Sequence, residues 1–128
     1  MIRRAEARRR APRARGEALP PAIRALAEAL LAIDLTGVRV HVDGEAAALG
    51  ALAFTCGDDI HFAPGLYDPH SERGVWLLGH ELAHVLQQRS GRARNPVGRG
   101  VVVLKDEALE AEADRFAERL VAAWASRR

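Results

Sequence analysis

Leu77-Leu78-Gly79-His80-Glu81-Leu82-Ala83-His84-Val85-Leu86-Gln87-Gln88 constrains this chain more than any other stretch, because it sets a His-Glu-x-x-His motif inside an apolar run of helical period. On a helix, residues four apart stand one turn above each other, so His80 and His84 face the same way. Two imidazoles in that relation fit two corners of a tetrahedral zinc site. Glu81 falls about 100° round the helix from His80, beside an ion rather than on it. From there it is placed to take a proton from a metal-activated water. The plainer alternative is an amphipathic helix that happens to carry two histidines and a glutamate. A third ligand elsewhere in the chain is what separates the two.

A chain of 128 residues forms one domain with a real core. Apolar residues make up 48% but aromatics only 5%, so Ala, Leu and Val must fill that core, which favours close-packed helices over a large sandwich. No run approaches the roughly 18 apolar residues of a membrane span, and no Sec-type export segment is visible. Cys56 is the single cysteine, so an internal disulfide is excluded and synthesis in a reducing cytoplasm is expected. The net charge of +2 conceals an asymmetry: seven arginines against Glu6 give residues 1–15 a charge of +6, leaving −4 for the rest. Residues 1–17 therefore read as a basic, disordered arm, and residues 18–128 as the folded domain. Such an arm suits nucleic acid, acidic lipid or an acidic partner, although no aromatics interleave its arginines for base stacking. A solvated linker is the simpler reading.

Along the domain, Pro20-Pro21 opens a helix whose apolar stripe is Ile23, Leu26, Leu30 and Ile33. Val38-Arg39-Val40-His41-Val42 alternates as a half-buried strand, with His41 on its polar, solvated face. An Ala-rich short helix follows from Asp43-Gly44 to Leu49, then a strand over Gly50 to Thr55. After the turn Gly57-Asp58-Asp59, Ile60-His61-Phe62 reads as an edge strand. Ser71 is the N-cap of the motif helix, which runs to Arg89. Residues 91–100 read as a basic surface loop, while Val101 to Leu104 fit either a short strand or an apolar plug. From Lys105 a last helix carries the core stripe Leu109, Ala113, Phe116, Leu120 and Trp124.

That last helix holds the candidate third ligand. A catalytic zinc needs three protein ligands and one open position. Glu110 and Asp114 lie four apart at the edge of the apolar stripe, where Glu110 can complete the site and Asp114 can accept the second ring N–H of a histidine. Glu112 is the competitor for the third place. Tyr67 and His61 are candidate donors to a tetrahedral oxyanion. Cys56 and His70 read as bystanders.

Ala53 to Gly65, with its Phe54-Thr55-Cys56-Gly57 strand end, followed by Leu77 to Gln88 with its paired Gln87-Gln88, closely resembles the extracellular contractile injection system core domain, formerly a domain of unknown function. The resemblance covers residues 35–88 and, more loosely, residues 109–117. It implies a bacterial zinc metallopeptidase linked to phage-tail-like injection particles, often within a toxin or cargo protein. The Glu110-Ala111-Glu112-Ala113-Asp114 element is similar to that of gluzincin peptidases. By that resemblance His80, His84 and Glu110 bind metal, Glu81 is the base, and Asp114 supports a ligand. Gly79 stands where alanine is common, a small-for-small change.

The expected architecture is a compact α+β zincin-like domain, a minimal gluzincin: about three strands, an N-terminal helix, the motif helix and the C-terminal helix. The expected activity is Zn2+-dependent hydrolysis of a peptide or protein substrate, laid along the Ile60-His61-Phe62 edge. Expected partners are components of an injection particle, which would carry the protein out of the cell without a signal peptide. A non-catalytic zinc-binding docking or loading module is the rival, and nucleic-acid binding through the arm is a third reading.

Overall fold

The computed structural model describes residues 16–93 and 106–127. The basic arm up to residue 15 and the stretch Val101 to Leu104 lie outside them.

Among the described residues four short strands form one sheet: β1 (Glu17–Ala18), β2 (Arg39–Val42), β3 (Ala53–Cys56) and β4 (Asp59–Phe62), in the order β1-β2-β4-β3. β1 runs antiparallel to β2, β2 parallel to β4, and β3 antiparallel to β4. The sheet thus exceeds the expected three strands by β1, whose two residues pair with Arg39 and Val40. Glu17, assigned from sequence to the arm, belongs to the sheet. A two-residue strand has no readable alternation, and only its partner defines it.

Two expectations about the sheet are corrected. Ile60-His61-Phe62 is no edge: β4 lies between β2 and β3, and Ile60 and Phe62 are fully buried. Chain order misled here because the β3–β4 hairpin docks with its second strand inward, against β2. The edges among the described strands are the two-residue β1 and, on the side of the motif helix, β3. His41 is not solvated either, with 4% exposure. Its ring stacks on that of His61, the register partner on the neighbouring strand, with Phe54 stacked beyond.

Helix α1 (Pro21–Leu31) begins with Pro21 in its first turn and buries Ile23 and Ala27. It ends at Ala32 in the left-handed conformation (φ 59°), so Ile33 packs on the core from outside the helix. The one-turn α2 (Glu45–Ala48) connects β2 to β3. Helix α3 (Glu72–Arg89) starts where expected: Ser71 Oγ accepts from the Gly74 N–H at 3.1 Å, satisfying one orphan donor of the first turn. Helix α4 (Glu107–Ser126) is capped by Asp106, whose carboxylate accepts from the N–H groups of Ala108 and Leu109.

The pairing of α3 with α4 is the most extensive between any two elements. Val75, Leu78, Leu82 and Val85 of α3 join Ala113, Phe116, Leu120 and Trp124 of α4 in one core cluster. Burying a side chain of that size is worth about 1.5–3 kcal/mol. Gly79 sets how near the helices come: a Cβ there would meet Leu120 Cδ2 at 3.0 Å and Ala117 Cα at 3.2 Å. The exchange for alanine is therefore not idle, since it permits the approach that carries the acidic face of α4 to the histidines. No described helix is long and apolar enough to cross a membrane.

Candidate metal centre

His80 and His84 project from the middle of α3, and their rings stand 4.7 Å apart at 83°. Glu110 and Asp114 reach them from α4. Glu110 Oε1 lies 3.1 Å from His80 Nε2, Glu110 Oε2 lies 3.2 Å from His84 Nε2, and the two Nε2 atoms are 3.1 Å apart. Three ligand atoms held at about 2.0–2.2 Å from a tetrahedral ion stand about 3.3–3.5 Å from one another. The observed separations of 3.1–3.2 Å are a little shorter, with the carboxylate meeting each nitrogen through a different oxygen.

Hydrogen bonds on the far side of each ring fix which nitrogens face inward. His80 Nδ1 lies 2.9 Å from Asp114 Oδ1, an atom that only accepts, so Nδ1 carries the hydrogen. His84 Nδ1 lies 2.7 Å from Gln87 Oε1. The orientation of that amide follows from its nitrogen, which donates to Leu109 O at 2.9 Å and to Glu112 Oε1 at 2.8 Å. With each Nδ1 engaged from behind, both Nε2 atoms are the ones that face the Glu110 carboxylate, and in a neutral ring each presents a lone pair there. Two imidazole nitrogens and one carboxylate, with Nδ1 of each ring held from behind, are the donor set a zinc ion takes. His80, His84 and Glu110 would hold it.

Glu81 lines the same cleft as His80, His84 and Glu110, reaches β3 and is 4% exposed. Its Oε1 lies 2.7 Å from the Thr55 hydroxyl, which is also 3.0 Å from the Glu81 carbonyl oxygen. Burial raises the Glu81 carboxyl above its usual range; neighbouring His84 and the Thr55 hydroxyl lower it, and the charge of Glu110 raises it again. The net displacement is upward. A second glutamine fixes the strand to this helix: Gln88 Nε2 donates to Thr55 O at 2.9 Å, and Gly57 N–H donates to Gln88 Oε1 at 2.7 Å. Thr55, Gln87 and Gln88 were not read from sequence as parts of the site. The signal available was their position: Gln87 stands three residues past His84, and Thr55 ends a strand before the motif.

His80, Glu81, His84 and Glu110 share an open cleft of about 800 Å³ with Phe54 and Thr55 of β3. Glu112 turns away from it and is bound by Arg92 at 3.0 Å and by Gln87, which together hold its carboxyl below the usual range. Tyr67 and His61, the candidate oxyanion donors, are not among the cleft residues. Tyr67 packs its ring 5.1 Å from Phe62, and burial pushes its phenol up to about 12. His61 stacks between His41 and Phe54. His70 lies in the exposed loop before α3. Trp76, one turn before His80, stacks on that ring at 5.3 Å, a contact readable from the same four-residue spacing.

Comparison with curated proteins and comparison with solved structures each return no match. A family model described as the eCIS core domain matches residues 18–92, from β1 through α3, and ends before the helix that carries Glu110. The match spans more than half of the sequence, and the chain belongs to the eCIS core domain family.

Proposed function

We propose that this domain is a zinc-dependent peptidase associated with a contractile injection system. The observation that carries the reading is the convergence of His80 Nε2, His84 Nε2 and the Glu110 carboxylate within 3.2 Å of one another, with each ring's Nδ1 engaged from behind. Zinc, when bound, supplies a Lewis acid that polarises a scissile carbonyl and acidifies water. Everything else is the work of the chain. Asp114 and Gln87 keep the imidazoles presented through Nε2. Glu81, its proton affinity raised by burial, receives a proton and returns it to the leaving amine. The Thr55 hydroxyl holds that carboxyl against β3 between the two transfers.

Substrate lies along β3 rather than along Ile60-His61-Phe62, because β3 is an edge strand with its Phe54 and Thr55 at the cleft, the Thr55 carbonyl being held by Gln88. An extended peptide adds a strand there by main-chain hydrogen bonds. Membership of the family supports injection-particle components as partners and delivery by such a particle.

Glu81→Gln tests the reading. The variant keeps its zinc and its fold, read by elemental analysis and circular dichroism, and loses peptide cleavage by about 10²-fold or more, the scale of general-base catalysis. A variant that cleaves like the parent overturns catalysis by Glu81. A parent that binds zinc and cleaves no peptide instead makes the domain a docking or loading module.

A further inference from the structure

A second histidine pair lies away from the cleft, on the sheet. His41 of β2 and His61 of β4 are directly opposed in the parallel register, and Asp43 follows His41 by two residues. One donor atom from each of the three lies within 4.8 Å of the others. His61 Nδ1 is 3.4 Å from Asp43 Oδ2. On its far side His41 gives Nε2–H to Asp59 Oδ1 at 2.8 Å, the carboxylate–histidine pairing that orients metal ligands.

His41 Nδ1 is the anomaly. It is buried, and among the described residues it is the buried side-chain polar atom with no hydrogen-bond partner. A buried polar atom left unpaired costs about 1–3 kcal/mol, so its position calls for something to bind it. Gly16 approaches this nitrogen closely, and any side chain there would crowd it: a Cβ would lie 3.0 Å from Nδ1 and 2.8 Å from Cε1. Gly16 has a φ of 67°, a conformation that itself favours glycine.

We propose that His41, His61 and Asp43 form a second divalent-metal site, structural in role, taking zinc or an ion of similar softness. Two imidazoles and one carboxylate are the donors such ions prefer over magnesium or calcium. Bound there, an ion clips the end of β2 to β4 and supplies the partner that His41 Nδ1 lacks. The rings now stack 4.5 Å apart with planes 12° from parallel, so their lone pairs run side by side. Ligation by both therefore turns the His61 ring, whose side chain is 15% exposed. That turn breaks the stack of His61 on Phe54, 4.7 Å away, and so reaches a residue of the cleft.

Chelator-stripped full-length protein is re-equilibrated with Zn2+, and bound metal is counted for the parent, His84→Ala, His61→Ala and Asp43→Asn. The parent should hold two ions, and each single variant should hold one. A parent holding one ion that only His84→Ala removes overturns the second site and leaves the first intact. Two ions retained in both His61→Ala and Asp43→Asn also overturn it. Loss of an ion in those two variants but not in His84→Ala sustains the sheet site and defeats the helix site. Should the sheet variants fail to fold, His84→Ala titrated with Zn2+ decides: the nitrogen resonance of His41 Nδ1 shifts in proportion to the bound ion, and an unmoved resonance overturns the proposal.

Discussion

The two histidine pairs of this domain are built in opposite ways. His80 and His84 are one helical turn apart on a single element, with edge-on rings and Nε2 atoms 3.1 Å from each other. His41 and His61 are twenty residues apart, brought together by the register of two parallel strands, with rings stacked face to face. Each pair has a carboxylate behind one ring, Asp114 in the first and Asp59 in the second. The helix pair is completed from outside by α4, and its second ring is locked by Gln87. The sheet pair has no such lock, and one of its nitrogens has no partner among the described residues. The contrast teaches that geometry converging on one point is inherited from helix period. Strand register delivers proximity and leaves the ring orientation to the surroundings.

The largest expected effect comes from the lock itself. Gln87 is fully buried, and its amide joins His84, Leu109 and Glu112. Gln87→Leu removes all three links, leaving His84 Nδ1–H and the Leu109 carbonyl without their partner. Stability should fall by about 1–3 kcal/mol, and zinc affinity at the helix pair by roughly 10–100-fold. Urea unfolding and competition with a chelator measure the two effects. Quenching of Trp76, stacked on His80, offers a local readout of metal there.

A matched pair of substitutions sharpens the comparison. Asp114→Asn should weaken zinc at the helix pair by about tenfold or more, the scale of outer-partner loss, and leave the sheet pair untouched. Asp59→Asn should do the reverse. Both carboxylates are about half exposed, so neither change should cost appreciable stability. Equal weakening of both sites by either substitution would show that the pairs are coupled rather than separate.

The smallest effect is expected at Tyr67, which belongs to neither pair. Tyr67→Phe should leave peptide cleavage within about twofold of the parent, since an oxyanion donor would cost about 10²–10³. The pH dependence provides an independent check. Burial lifts the folded phenol to about 12 from its usual 10.0, and the charge of Glu17 adds to it. Because the folded value is the higher one, the stability this group contributes is fully present below pH 10 and is lost as pH rises through about 12. Tyr67 is the sole tyrosine, so tyrosinate absorbance reports on it alone. A midpoint near 10 would mean that the ring is not packed against Phe62 as described.

Much of the site was legible because its information is local. A spacing of four residues puts His80 above His84, Ser71 precedes a first turn that needs an acceptor, and Glu110 and Asp114 share a face by the same rule. Local pattern favoured Glu110 over Glu112 by its place at the edge of the apolar stripe, and packing supplies the reason. Glu110 and Glu112 are equally acidic and nearly adjacent. Packing of Ala113, Phe116 and Leu120 into the core fixes the rotation of α4, sending Glu110 to the histidines and Glu112 to Arg92. Gly79 shows the same division: its identity is plain in the sequence, and its purpose is plain only against Leu120.

The sequence by itself determined the elements whose pattern repeats within a few residues: the helices, three of the four strands, and the direction in which the motif side chains point. Tertiary structure decided the pairings between distant segments. It put β3 rather than β4 at an edge, drew Glu17 and Ala18 into the sheet, and buried His41 against His61. Helix geometry is written in backbone bonds four residues long. Strand order and register, by contrast, are chosen by whichever distant partner buries the most apolar surface and satisfies the ladder.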